Sequence, residues 1–132
     1  MYRRRLLIVD HDPEVRAAVA AYTARFADVV GAADEAAALA IVALPETLDI
    51  AIVAFRLGGE GEAGLGLLER IGKLKPECTT VLMAPTRPTL LPDSLVTLRT
   101  PFTAESLHSV LTTAVALKTA DYPGAGWRYD RT

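Results

Sequence analysis

The sequence predicts one α/β domain built on a doubly wound, five-stranded parallel sheet of strand order 2-1-3-4-5. Short apolar segments typical of strands alternate with segments of helical periodicity, which favours parallel strands covered by helices on both faces. The first apolar segment, LLIV at 6–9, ends in an acidic cluster and turns directly into a helix start. Right-handed crossovers leave few other topologies, and the ligand crevice of this one lies at the carboxyl ends of strands 1 and 3, beside Asp10 and Ala54.

The first helix is predicted to begin at Asp12-Pro13-Glu14, directly after the first strand. Asp12 can accept hydrogen bonds as the N-cap, Pro13 has its φ preset for the first helical position, and Glu14 suits the positive end of the helix dipole. The apolar face expected for this helix follows at helical spacing and consists of Val15, Val19, Tyr22 and Phe26.

The next three predicted elements are a second strand, an alanine-rich helix and a third strand. The second strand spans residues 28–32, and the helix begins after Asp34 and stops before Pro45. Segment 48–55 is the most apolar strand candidate, which predicts a place in the middle of the sheet. The apolar residues of the helix are Ala36, Leu39, Ala40 and Leu44.

A loop with three glycines, residues 56–63, separates the third strand from the third helix, which is predicted to begin at Gly64. The helix ends at Lys75-Pro76, and the fourth strand spans residues 79–84. The apolar face of the third helix is predicted to contain Leu65, Leu68, Ile71 and Leu74.

The connection after the fourth strand contains Pro85, Pro88 and Pro92, a density that no regular helix tolerates. The fourth helix of the topology is therefore predicted to be shortened or missing. A fifth strand over 95–98 and a final helix capped by Thr103 complete a domain that spans residues 1–118. Residues 119–132 are predicted to form an irregular tail or the start of a linker. The apolar face of the final helix consists of Leu107, Val110, Leu111, Ala114 and Leu117.

Composition excludes several classes of function. The formal net charge of −2 gives no electrostatic footprint for nucleic acid, and the longest apolar run, 36–44, is far too short to span a membrane. The single cysteine, Cys78, excludes an internal disulfide and a thiolate metal cage, which favours a reducing compartment. We therefore expect a cytoplasmic protein that binds neither nucleic acid nor membrane.

Three fragments lie in order at predicted strand ends: LLIVDHDPEVR at 6–16, DIAIVAFRLG at 49–58 and TPF at 100–102. Together they resemble the receiver domain of bacterial two-component response regulators, which has a flavodoxin-like (CheY-like) fold. The resemblance covers residues 5–118. It implies a domain that transfers a phosphoryl group to its own aspartate, with Mg²⁺ held by carboxylates and with a hydroxyl and a lysine contacting the transferred oxygens.

Carried over position by position, the resemblance implies a degenerate phosphorylation pocket. The acceptor position falls on Ala54, the hydroxyl position on Ala84 and the lysine position on Thr100, while His11 replaces the second carboxylate. Methyl groups neither accept a phosphoryl group nor coordinate a cation, so we expect no catalytic residue, no bound metal and no cofactor. The pocket positions are Asp10, His11, Asp12, Ala54, Ala84 and Thr100.

These departures from the receiver pattern predict a pseudo-receiver rather than an enzyme. Its expected function is protein–protein interaction in two-component signal transduction or a phosphorelay, independent of phosphorylation. The expected partner is a second copy, a histidine kinase, another regulator or a fused output domain. The alternative is a domain that senses a small ligand or a metal through the vacated acidic pocket. In addition, Arg87 and Arg99 could supply positive charge for an anion or for a partner's carboxylate.

Overall fold

The computed structural model describes residues 4–57, 63–87 and 95–120, with the backbone alone over 115–120. The described residues form one parallel sheet of five strands in the order β2-β1-β3-β4-β5, as predicted. Its strands are β1 (Arg4–Val9), β2 (Ala27–Ala32), β3 (Ile50–Ala54), β4 (Thr79–Ala84) and β5 (Val96–Arg99). The helices are α1 (Pro13–Thr23), α2 (Glu35–Val42), α3 (Ala63–Leu74) and α4 (Ala104–Ala120).

The sheet separates two apolar cores, which confirms the doubly wound α/β class. Leu6 and Ile8 of β1 belong to the core that α1 and α4 cover, while Leu7 and Val9 belong to the core that α2 and α3 cover. Successive side chains of a strand point to opposite faces, so a strand covered on both sides is apolar throughout. This is why residues 6–9 of β1 and the whole of β3 are uninterrupted apolar runs.

The apolar face predicted for the first helix is wrong at its C-terminal end. α1 ends at Thr23, whose hydroxyl donates to the Val19 carbonyl at 2.8 Å, so Phe26 lies in the following turn. Tyr22 and Phe26 are 41% and 37% exposed. Their rings contact Phe102 and His108 edge-on, with centroids 6.3 and 5.9 Å apart. Helical periodicity continues past Thr23 in the sequence, but the helix does not.

The second and third helices bury partly different residues from those predicted. α2 ends at Val42, so Leu44 lies beyond it and is exposed. α3 buries Leu67 completely together with Leu68 and Ile71, whereas Leu65 is half-buried and the last residue, Leu74, is exposed. A helix that faces a sheet buries a stripe wider than one row of residues, and spacing alone does not say which flank of the stripe is covered.

The connection from β4 to β5 is described only at its two ends, 85–87 and 95. The predicted shortened or missing helix therefore falls on residues 88–94, outside the described part of the chain. The Arg87 guanidinium donates to the Leu95 carbonyl at 2.9 Å and lies 3.5 Å from the Thr97 hydroxyl, which joins the two ends.

The final helix, α4, continues to Ala120, two residues past the predicted end of the domain. Residues 121–132, most of the predicted tail, lie outside the described residues. Among the helices that are described, none has the length and apolar character needed to cross a bilayer.

Candidate functional site

The four strand ends that carry the predicted pocket meet at one edge of the sheet. Asp10 follows β1, Ala54 ends β3, Ala84 ends β4 and Thr100 follows β5. Because β1 pairs with β3, β3 with β4 and β4 with β5 in parallel, these ends lie side by side. The structure therefore places the predicted pocket positions along the carboxyl edge, where an open α/β sheet forms its ligand crevice.

The first acidic residue, Asp10, holds the loop that leaves β1. Its side chain is nearly buried, and Oδ1 accepts a hydrogen bond from the backbone N–H of Asp12 at 2.9 Å. Its own N–H donates to the Ala32 carbonyl at 3.1 Å, and its carbonyl accepts from the Arg16 guanidinium at 2.6 Å. These three hydrogen bonds fix the turn between β1 and α1.

Arg16 reaches Asp10 because β2 has a glycine beneath it. A Cβ at Gly31 would lie 3.2 Å from the Arg16 Cδ, closer than almost all real Cβ contacts. The small residue thus leaves a path for the arginine side chain across the edge strand. No pattern in the sequence predicted this contact, because it depends on how α1 lies over β2.

Asp12 and His11 have separate roles. Asp12 is the N-cap of α1, as predicted, and its Oδ1 accepts from the Glu14 N–H at 2.9 Å. The His11 ring is mostly exposed, with Nδ1 3.3 Å from the Asp10 Oδ1. Within the described ranges, no group of three or more His, Cys, Asp or Glu side chains is arranged to hold a metal ion.

The other half of the edge presents methyl groups. Ala54 and Ala84 are 7% and 4% exposed. Backbone hydrogen bonds hold these strand ends together: Phe55 N–H donates to the Met83 carbonyl at 2.8 Å, and Thr100 N–H to the Ala84 carbonyl at 3.0 Å. The frame of a pocket is therefore complete here without any contribution from the side chains at the acceptor and hydroxyl positions.

Gly64 fixes the position of α3 against this frame, a role that the sequence did not reveal. Its N–H donates to the Phe55 carbonyl at 3.0 Å. A Cβ on Gly64 would lie 2.0 Å from the Ala54 carbonyl oxygen, so only glycine fits. The first turn of α3 therefore rests directly on the last peptide of β3, next to the predicted acceptor position.

The two arginines considered as anion ligands lie in different places. The Arg87 side chain lies along the start of β5, on Leu95 and Thr97, rather than beside Ala84. Arg99 is the last residue of β5, and its side chain is exposed. The structure thus assigns Arg87 to holding the connection between strands and leaves Arg99 at the outer edge of the sheet.

No protein-family model matches the chain, and no curated protein matches it in sequence. Solved structures match the fold closely. A CheY-like receiver domain protein from Methanospirillum hungatei JF-1 superposes with a TM-score of 0.77 at 18% identity, over 92% of this chain and 100% of that one. The signal receiver domain of an HD domain-containing protein from Pseudomonas fluorescens Pf-5 gives 0.78 at 20% identity, over 91% and 100%.

A third match is a response regulator from Burkholderia pseudomallei, whose crystal structure contains a phosphorylated aspartic acid and a calcium ion. It superposes with a TM-score of 0.71 at 20% identity, over 89% of this chain and 72% of that one. At these identities the likeness shows the fold: a flavodoxin-like α/β sheet of the kind found in CheY-like receiver domains.

Proposed function

We propose that this chain is a receiver-like module of two-component signal transduction that acts through protein–protein interaction and does not accept a phosphoryl group. The observation that carries the proposal is the residue at the end of β3. Ala54, the last residue of β3, occupies the position where the receiver resemblance places the acceptor aspartate. The domain keeps the frame of a phosphorylation pocket and lacks its nucleophile.

The chemistry of the pocket supports this proposal. Phosphoryl transfer to a receiver needs a carboxylate oxygen that attacks phosphorus while the donor's leaving group departs, and it needs positive charge on the transferred oxygens. Ala54 offers no attacking oxygen. Ala84 offers no hydroxyl, and Thr100 offers no charge where the resemblance expects a lysine.

The remaining carboxylates are poor substitutes for the acceptor. The Oδ1 atom of Asp10 already accepts the Asp12 N–H in a nearly buried turn, and the Oδ1 atom of Asp12 caps α1. Phosphorylation of either residue would turn a carboxylate that accepts a backbone N–H into an acyl phosphate, whose remaining carbonyl oxygen is a weaker acceptor, and would thus weaken a hydrogen bond that holds the loop. We therefore propose no enzymatic activity for the domain, in which conformational change would follow the binding of a partner.

The test is an intact-mass measurement after incubation with acetyl phosphate and Mg²⁺, beside a phosphorylation-competent receiver domain as control. We expect an adduct on the control and none on this chain. A phosphoryl adduct on this chain would contradict the proposal, and Asp10→Asn and Asp12→Asn variants would then locate the acceptor.

A further inference from the structure

The outer side of β2 forms one edge of the sheet. β2 is a terminal strand, and among the described residues β1 is the one strand that pairs with it. The carbonyls of Phe26 and Ala32 accept inward, from backbone N–H groups of β1 and of the residue that follows it. Because peptide groups alternate in direction along a strand, those of Val29 and Gly31 point to the outer edge.

β2 lacks the features that most often keep a strand edge from pairing. Such edges are commonly protected by lysine, by proline or by a bulge. β2 has the sequence ADVVGA, and its register with β1 runs without interruption from Ala27 to Ala32. Asp28 is its one charged residue, and the two valines at its centre are half-buried. The middle of β2 is therefore suited to accept another strand.

The helix above the same edge, α2, is apolar almost throughout. From Ala36 to Leu44 the chain contains no polar residue. A helix at a protein surface normally carries polar residues opposite the core, yet Ala36, Ala40 and Leu44 are exposed. α2 contacts β1 and β2 on one side and α3 on another. Its outer surface therefore lacks the polar side chains that are typical of a helix in contact with water.

The salt bridge between Glu35 and Arg70 shows which flank of α2 faces the edge of the sheet. Arg70 belongs to α3, and its guanidinium donates to the Glu35 carboxylate at 2.9 Å, so this flank of α2 faces α3. Because α3 covers β3 and β4, the opposite flank lies above the outer edge of β2. The residues of that flank, at helical spacing, are Ala37, Ile41 and Leu44. The flank beside the open strand edge is therefore apolar.

A second copy of this chain fits both features at once. A two-fold axis perpendicular to the sheet, beside β2, makes β2 and its copy antiparallel and keeps the two α2 helices on the same face. Neighbouring strands lie about 4.8 Å apart, so a helix that lies over both β1 and β2 would lie about 10 Å from its symmetry mate. Packed helices are about 8–10 Å apart. Pairing of the strands therefore also brings the apolar flanks of α2 into contact.

The opposite face of the sheet also leaves room for a second copy. There α1 contacts β2, and the approach of the Arg16 side chain to Gly31 marks the flank of α1 on the β2 side. One helical turn further on, Ala20 lies on the same flank, and Ala17 lies beside it and is exposed. These short side chains allow α1 of a second copy to approach closely.

The charges beside the two ends of β2 favour the antiparallel arrangement. Exposed Arg25 precedes the strand, and exposed Asp34 follows it. Arg25 also interacts within the chain and Asp34 caps α2, so the complementarity is between the two ends rather than within one ion pair. Antiparallel pairing places the basic end of each copy beside the acidic end of the other. An unrelated extended peptide would cover β2 and leave the flank of α2 uncovered, which favours a second copy.

We propose that two copies of this chain associate through β2, so that two five-stranded sheets form one continuous sheet with the α2 helices packed across the two-fold axis. The backbone groups of Val29 and Gly31 supply hydrogen bonds between the strands, and Ile41 and Leu44 supply apolar contacts between the helices. This inference rests on the proposed interaction function and names the partner, a second copy of this chain.

The test is sedimentation equilibrium of the full chain from about 1 μM to about 500 μM, a range that includes weak dimers. We expect the mass to approach twice that of the monomer as the concentration rises. Hydrogen exchange of the Val29 and Gly31 amides, followed by NMR at low and high concentration, locates the contact. Exchange at both amides should be at least about tenfold slower in the dimer, because hydrogen bonds between the two strands protect them.

Two matched substitutions test the contact between the helices. Leu44→Glu places a carboxylate on the flank of α2 that faces the second copy, and it should raise the Kd of the dimer by about tenfold or more. Leu74→Glu makes the same change at the end of α3, away from β2, and should change the Kd by less than about twofold. Both leucines are exposed, so both variants should keep the fold, which circular dichroism checks.

Each outcome decides the inference. A monomer at every concentration, a dimer without slower exchange at Val29 and Gly31, or equal effects of the two substitutions would overturn it. Slow exchange of these amides already in the monomer would show that another segment of the same chain covers β2, which would overturn it as well. The phosphodonor experiment tests the proposed function separately. An adduct on a chain that dimerises through β2 would overturn only the proposed function, and a monomer without an adduct would overturn only this inference.

Discussion

The two halves of the carboxyl edge are held by different parts of the chain. On the β1 side, Asp10 and Asp12 each use a side-chain oxygen to bind a backbone N–H of the loop or of α1. On the side of β3, β4 and β5, the strand ends are about as buried as Asp10, and hydrogen bonds between backbone groups join them. The side chains at the predicted pocket positions on this side add no hydrogen bond that holds the strand ends together.

This difference accounts for which polar residues the edge contains. A carboxylate that caps a helix or closes a turn stabilises the fold whether or not chemistry takes place there. A side chain whose only role is chemical can become a methyl group without loss of the frame, since backbone hydrogen bonds remain. The side chains of the acidic half therefore stabilise the loop and α1, whereas the side chains of the apolar half add no hydrogen bond to the frame.

The largest expected effect concerns the contact between α3 and β3. Gly64→Ala should lower the free energy of unfolding by about 3 kcal/mol or more, because the added Cβ would overlap the Ala54 carbonyl oxygen. The matched control is Gly66→Ala in the same helix, where an added Cβ meets nothing within 4 Å. That variant should have a free energy of unfolding about 0.5–1 kcal/mol higher than that of the unchanged chain. Urea denaturation measures the free energy of unfolding of both variants. Similar values for the two would contradict the close approach of α3 to β3.

A smaller effect is expected when a carboxylate is introduced into the apolar half. Ala54→Asp should lower stability by about 2 kcal/mol relative to the neutral Ala54→Asn, because a second carboxylate would be nearly buried beside Asp10. Two adjacent carboxylates suit a hard cation, so millimolar Mg²⁺ should raise the Tm of Ala54→Asp and leave that of Ala54→Asn unchanged. Equal Tm values with no response to Mg²⁺ would mean that the two positions do not share a site.

The smallest effect compares two helix caps. Asp12 caps α1 through Glu14 N–H at 2.9 Å, and Asp34 caps α2 through Ala37 N–H at 2.8 Å. Asp12→Ala and Asp34→Ala should each lower the free energy of unfolding by about 1 kcal/mol, and serine at either position should restore most of that loss. Thermal unfolding measures these changes. A loss of stability for Asp12→Ala much larger than that for Asp34→Ala would show that the acidic half does more than hold its loop.

Local signals in the sequence were sufficient for the order of the elements, for the N-cap of α1 and for the start of α2 after Asp34. The apolar runs of β1 and β3 mark strands covered on two faces, and Asp12 followed by Pro13 marks the start of α1. The resemblance in turn supplied Ala54 as the acceptor position, which the structure places at the end of β3.

Contacts between elements could not be predicted in this way. The approach of Gly64 to the Ala54 carbonyl depends on how α3 lies on β3, and no spacing in the sequence encodes it. The end of α1 at Thr23 depends on the turn that leads into β2, whereas the periodicity runs on to Phe26.

The position of β1 between β2 and β3 has a consequence for synthesis on the ribosome. β1 emerges before the other strands of the sheet, yet the backbone N–H of Arg5 donates to the side chain of Asp49, 44 residues later. Until that segment leaves the exit tunnel, one edge of β1 is open and its apolar residues lack half of their cover. A nascent chain whose exposed part ends before β3 would therefore leave one edge of β1 unpaired, whereas one whose exposed part includes Ala54 already contains the three neighbouring strands β2, β1 and β3.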